Sequence, residues 1–164
     1  MAIENVQRRA TKLIPGFRDL SYKERLARLK LPTLVYRRMR GDMVEVYKLL
    51  NGMYDKVVTG GLLDLYADHT DRPERMRGHS QKLFKRRARL NVRQKFFSFR
   101  VVDTWNDLPQ WVIDAPSLKS FERRIDKFWR EQDILYDFKA VFKKGRHVPY
   151  GRESTDTEEE DLDT

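Results

Sequence analysis

Cysteine is absent from all 164 residues, which excludes disulfides, thiolate nucleophiles and any zinc ribbon or knuckle built on thiolate ligands. Histidine occurs at His69, His79 and His147 only, at spacings that fit no zinc-ligand pattern. His79 and Ser80 are neighbours whose side chains diverge on an extended backbone, so they do not make a Ser-His nucleophile. No apolar run approaches the roughly eighteen residues of a membrane-spanning helix. Met1-Ala2-Ile3-Glu4-Asn5 lacks both the basic start and the apolar core of a secretory signal. The expectation is an intracellular protein, nuclear or cytoplasmic and not secreted. There is no glycine-rich phosphate loop. Before the C-terminal tail no two acids are adjacent, whereas metal-dependent polymerases and nucleases need carboxylates clustered around divalent ions. Asp103 with Asp107, and Glu122 with Asp126, stand four apart among basic residues and read as surface ion-pair partners. No metal, cofactor or small-molecule substrate is expected.

What the chain has in excess is positive charge. Lys and Arg number 34 against 25 Asp and Glu, and seven of those acids fall in the last twelve residues. Without residues 151–164 the balance is 33 to 18, or +15. A folded body so charged repels itself, and a polyanion relieves that repulsion. Nucleic acid is the first candidate and an anionic membrane the second; the partner expected is RNA or DNA, and no membrane.

The apolar spacing predicts a mainly α, single small helical domain. Its parts are an N-terminal helical part over 1–51, a mobile connection over 52–80, a basic segment with C-terminal helices over 81–140, and a disordered acidic tail over 141–164. Ile3, Val6, Ala10 and Leu13 share one face of a first helix, the face expected to turn inward. Ser21-Tyr22-Lys23-Glu24 is a capping box opening a second helix with Leu26 and Leu29 on one face. Leu34, Met39, Met43, Val46 and Leu50 mark a third, closed by Asn51-Gly52; Gly41 within it suggests a close helix crossing or a bend. Residues 81–92 are too irregular for a good helix and fit a short β-hairpin. Phe97, Val101, Trp105 and Leu108 favour a helix over the alternative strand, with Trp105 as core anchor and Asn106 as cap. Ser117 caps the cleanest helix, carrying Leu118, Phe121, Ile125 and Phe128.

From Arg77 to Arg100 nine cations occur without one acid: Arg77, Lys82, Lys85, Arg86, Arg87, Arg89, Arg93, Lys95 and Arg100. Guanidinium forks suit phosphate oxygens, and the interleaved Phe84, Phe96, Phe97 and Phe99 either stack on unpaired bases or, as favoured here, fill the core. Arg86, Arg87, Arg89, Arg93 and Lys95 are the leading phosphate contacts. Lys85-Arg86-Arg87-Ala88-Arg89 is also a weak match to a nuclear-import signal. The tail, in turn, carries acids that are expected to fold back on this run and compete with nucleic acid.

Several stretches, taken in order, resemble the region downstream of the reverse transcriptase domain in LINE-type (non-LTR, jockey-like) retrotransposon polyproteins. They are Glu4 to Lys12, Leu31-Pro32-Thr33-Leu34, Arg37 to Met43, Arg77-Gly78-His79-Ser80, Trp105-Asn106-Asp107-Leu108-Pro109 and Ala115-Pro116-Ser117-Leu118. The resemblance covers residue 4 to about 140. It implies an RNA- or DNA-holding appendage of a reverse transcriptase, with such a domain as a partner in trans. The Tyr-x-Asp-Asp polymerase signature is missing, so the resemblance transfers no catalytic residue and the expectation is a non-enzyme. A helical protein-docking module is the alternative, and a relic fragment without selected function is a third.

Overall fold

The structure is a computed structural model that describes residues 2–71 and 78–143. Arg77, His147 and the acidic tail lie outside those residues. The expectations of a disordered tail and of its competition with nucleic acid therefore fall outside them as well. The described chain is mainly helical, as the spacing predicts: α1 Ala2–Lys12, α2 Tyr22–Leu29, α3 Leu34–Leu50, α4 Lys56–Thr59, α5 Asn91–Gln94, α6 Phe97–Asn106, α7 Gln110–Ile113 and α8 Leu118–Phe128. Two 3-10 turns join them, Tyr66–His69 and Asp133–Leu135. Among the described residues no helix is long and apolar enough to cross a membrane.

Local signals set the helix ends. Ser21 and Glu24 exchange both hydrogen bonds of the capping box, at 3.3 Å and 2.7 Å. Thr33 accepts from Tyr36 N–H at 3.2 Å, and Ser117 from Ser120 N–H at 3.2 Å. Each supplies an acceptor to a helix N-terminus whose first amides lack intrahelical partners. Past α3, Gly52 takes the left-handed φ of +67° that reverses the chain. Gly41, by contrast, serves no close helix crossing: it is exposed, and a Cβ built there meets nothing within 4 Å.

The core lies where α3 crosses α6 and α8. Met43, Val46, Val101, Trp105, Phe121, Ile125 and Trp129 are almost wholly buried. Tyr47 stacks on Phe121 at 4.4 Å and donates its hydroxyl to Ala115 O at 2.8 Å. Such a buried aromatic keeps its area in the core while its one polar atom is satisfied. Thr33 ties the start of α3 to the 3-10 turn at Asp133–Leu135. Its hydroxyl donates to Ile134 O at 2.6 Å and its amide to Leu135 O at 2.8 Å.

Two expectations fail. The first concerns α1, whose apolar residues face solvent: Ile3 is 73% exposed, Val6 66% and Leu13 84%. The inward face is polar. Glu4 accepts from Tyr22 Oη–H at 2.8 Å and from Leu34 N–H at 3.0 Å, Gln7 donates to Pro32 O at 3.3 Å, and Thr11 accepts from Arg25 Nε–H at 3.2 Å. The carboxylate of Glu4 thus satisfies a free amide at the positive end of α3, a need that outweighs burial of a short apolar stripe. Glu4, Gln7 and Thr11 repeat at the same intervals as the apolar stripe, one residue along.

The second concerns the hairpin over 81–92. Among the described residues there is no strand, only one antiparallel bridge between Leu65 and Leu83. Residues 82–84 run alongside residues 64–66, so their backbone partners come from elsewhere. Tyr66 N–H donates to Lys82 O at 2.7 Å and Phe84 N–H to Asp64 O at 2.8 Å. Asn106 is no helix cap but a clamp: its Oδ1 accepts from Leu83 N–H at 2.8 Å while its Nδ2 donates to Leu83 O at 2.9 Å. With those groups satisfied, Asn91 onward is free to coil into α5.

Candidate nucleic-acid interface

The strap formed by residues 80–89 reaches its place through the Trp-Asn-Asp-Leu-Pro segment at the end of α6. Trp105, fully buried, donates Nε1–H to Gln81 O at 2.8 Å, and its own carbonyl meets His79 Nε2 at 3.0 Å. Burial, ahead of any charge, lowers the His79 pKa below the ordinary imidazole value, so the ring is neutral at neutral pH and donates Nε2–H to that carbonyl. Gln110 closes the start of the strap by accepting from Ser80 N–H at 2.9 Å. Beyond Leu83 the chain leaves the core as Phe84 stacks on His69 at 4.0 Å, and the cations that follow are held outward.

Between this strap and the outer face of α6 runs a cleft of about 930 Å³. Lys85, Arg86, Arg87, Arg89 and Arg100 line it with Gln94, Phe99 and a single carboxylate, Asp103. The fold thus gathers five of the nine cations picked out by the sequence. Arg77 lies outside the described residues, and Lys82, Arg93 and Lys95 are not in the lining. Lys82 is half-buried against Gly78. Arg93 lies over the Phe99 ring at 5.4 Å, and exposed Lys95 ends α5.

A run free of acids in sequence is not free of them in space. Lys85 Nζ donates to Asp103 at 2.7 Å and 2.8 Å, and Arg86 Nε donates to Asp64 at 2.7 Å. Arg100 grips Asp42 in a two-pronged pair at 2.7 Å and 2.9 Å, which raises its pKa further. Those three acids were invisible to a reading of the run alone, because they stand 18 to 58 residues away. Asp42 carries one usable signal, since it falls on α3 close to the positions that meet α6. Among the described residues half-buried Lys82 and the exposed Arg87, Arg89, Arg93 and Lys95 have no carboxylate within 4.0 Å. They are the cations left to an external anion.

The phenylalanines divide along similar lines. Phe97 packs against the core beneath Arg100, Phe84 sits between His69 and Tyr66, and Phe99 is half-buried under Arg93. Phe96, 58% exposed, is the one of the four open enough to stack broadly on a base. The acids four apart behave as surface partners: Asp103 holds Lys85, and Glu122 and Asp126 both reach Arg40, at 3.7 Å and 2.6 Å. Compared with protein-family models, curated proteins and solved structures, the chain matches none.

Proposed function

We propose that this chain is a non-catalytic domain that holds RNA or single-stranded DNA, without sequence preference, along the cleft between the strap and α6. It descends, on this reading, from the region that follows the reverse transcriptase domain in LINE-type retrotransposon polyproteins. The observation that carries the proposal is the set of exposed cations without carboxylate partners, Arg87, Arg89, Arg93 and Lys95, beside a cleft whose other cations are already neutralised. Phosphate oxygens complete the guanidinium forks, and Phe96 offers one stacking face. No base-edge reader is needed for binding of this kind.

The test is the Arg87→Glu, Arg89→Glu, Arg93→Glu triple variant, measured by fluorescence anisotropy with mixed-sequence RNA and DNA single strands. The expected result is at least tenfold weaker binding with an unchanged circular dichroism melt. Unchanged affinity refutes the proposal.

A second reading has its own observation. The exposed stripe of Ile3, Val6 and Leu13 on α1 is a surface that water does not favour, and it suits docking on another protein, such as a reverse transcriptase domain in trans. Association that is nearly independent of salt would favour it over phosphate contact.

A further inference from the structure

Away from the strap, α1 and α2 meet across a second cleft, of about 500 Å³, lined by Arg8, Arg9, Lys12, Arg18 and Arg25 together with Asn5, Leu20, Ser21 and Tyr22. Five cations converge there and none of the nine lining residues is an acid. Elsewhere the fold answers its cations with carboxylates, as at Arg40, Lys48, Lys85, Arg86 and Arg100. Among the described residues none of these five has one within 4.0 Å.

Arg25 marks the floor of the cleft. It is only 4% exposed, yet its acceptors are all neutral: Thr11 Oγ1 at 3.2 Å, Leu20 O, and Arg8 O at 3.4 Å. Its guanidinium also lies over the Tyr22 ring at 5.7 Å. The Glu4 carboxylate behind Tyr22 is engaged by Tyr22 Oη–H and Leu34 N–H, and Glu24 by the capping box. A buried cation with only neutral partners gains from an incoming anion far more than a solvated one does. Around it, Arg8, Arg9, Lys12 and Arg18 are exposed at the rim, where they meet that anion first.

We infer that the cleft between α1 and α2 is a second phosphate-binding site, which takes the phosphodiester backbone of the same single strand that the strap holds. This inference rests on the proposed function for the identity of the ligand, but on different residues. One surface alone carries few unpaired cations, whereas two separate phosphate contacts on one strand add avidity.

The test uses the full chain with a 25-nucleotide oligo-dT. In one variant Arg9, Lys12 and Arg18 become Glu; in a milder one the same three become Gln. Arg25 is left in place because its side chain bonds Thr11 Oγ1 and the carbonyls of Arg8 and Leu20, which hold α1 to α2. The Glu variant is expected to bind at least tenfold more weakly, with a log-log salt slope shallower by about 2. The Gln variant should fall between it and wild type, and keeps the test valid if the Glu variant melts early. Affinity within twofold of wild type in a folded variant overturns the inference. So does loss of binding to phosphatidylserine vesicles with oligo-dT binding intact, which would assign the cleft to lipid. Loss in the Arg87, Arg89, Arg93 variant alone leaves the proposed function standing and this inference refuted. Loss in the cleft variant alone refutes the strap as the strand's holding surface and keeps the cleft as its phosphate-binding site.

Discussion

At the scale of single residues, His79 shows how a polar group becomes part of a core. It is 1% exposed, edge-on to Trp105 at 6.0 Å, with its Nε2–H given to the Trp105 carbonyl. Because burial depresses its folded pKa, the unfolded chain takes up a proton first as the pH falls through about 6.5. Stability linked to His79 is therefore complete above that pH. It declines below it, until the folded ring itself protonates. Thermal melts at pH 7.5 and 5.5 are expected to show a lower Tm at the acid pH, with a smaller difference in His79→Gln. An equal difference in the two proteins would contradict this role. Trp105 could be read from the sequence as a core anchor, since it sits at helical spacing from Val101 and Leu108. His79 and Asn106 could not, because what they do depends on meeting Trp105 and Leu83, some 23 to 26 residues away.

Among the elements, helices announced by both a cap and an apolar period were legible, namely α2, α3 and α8. Ser21 and Ser117 cap as their residue types suggest, and Thr33 proves to be the N-cap of α3. α1 was legible as a helix but not in its orientation. Two stripes of equal period run along it, and the apolar one loses to a polar one that completes the start of α3. The strap was misread as a hairpin because its partners are a side-chain amide and residues 64–66 in place of a second strand. Gly41 offers a direct check on α3. Nothing packs where its Cβ would stand, so Gly41→Ala should gain about 0.5–1 kcal/mol of helix stability. Urea unfolding monitored by tryptophan fluorescence measures it, and a loss of stability would show that the position is needed for packing after all.

For the molecule as a whole, one core joins the two parts of the chain on either side of the 52–80 connection, with Thr33 bonded to the carbonyls of Ile134 and Leu135. The charge excess was plain in the composition, and the sequence run located five cations of one cleft. It overstated their freedom, since Asp42, Asp64 and Asp103 reach them only through the fold. It also missed the cleft between α1 and α2: four of its five cations lie in the acid-free stretch 5–18, but the fifth, Arg25, joins them only when α2 packs on α1. Exposed ion pairs of the Lys85–Asp103 kind contribute little to stability, up to about 1 kcal/mol, so their cost to the interface is the loss of an unpaired cation.

The central claim is electrostatic, so its most direct measurement is the affinity of the intact chain for a mixed-sequence single strand across three salt concentrations. Contacts from Arg87, Arg89, Arg93 and Lys95 alone predict a log-log slope of about −3 or steeper, since each phosphate neutralised on a single strand contributes about −0.7. An affinity that barely changes with salt, or no binding at the lowest salt, would contradict the account.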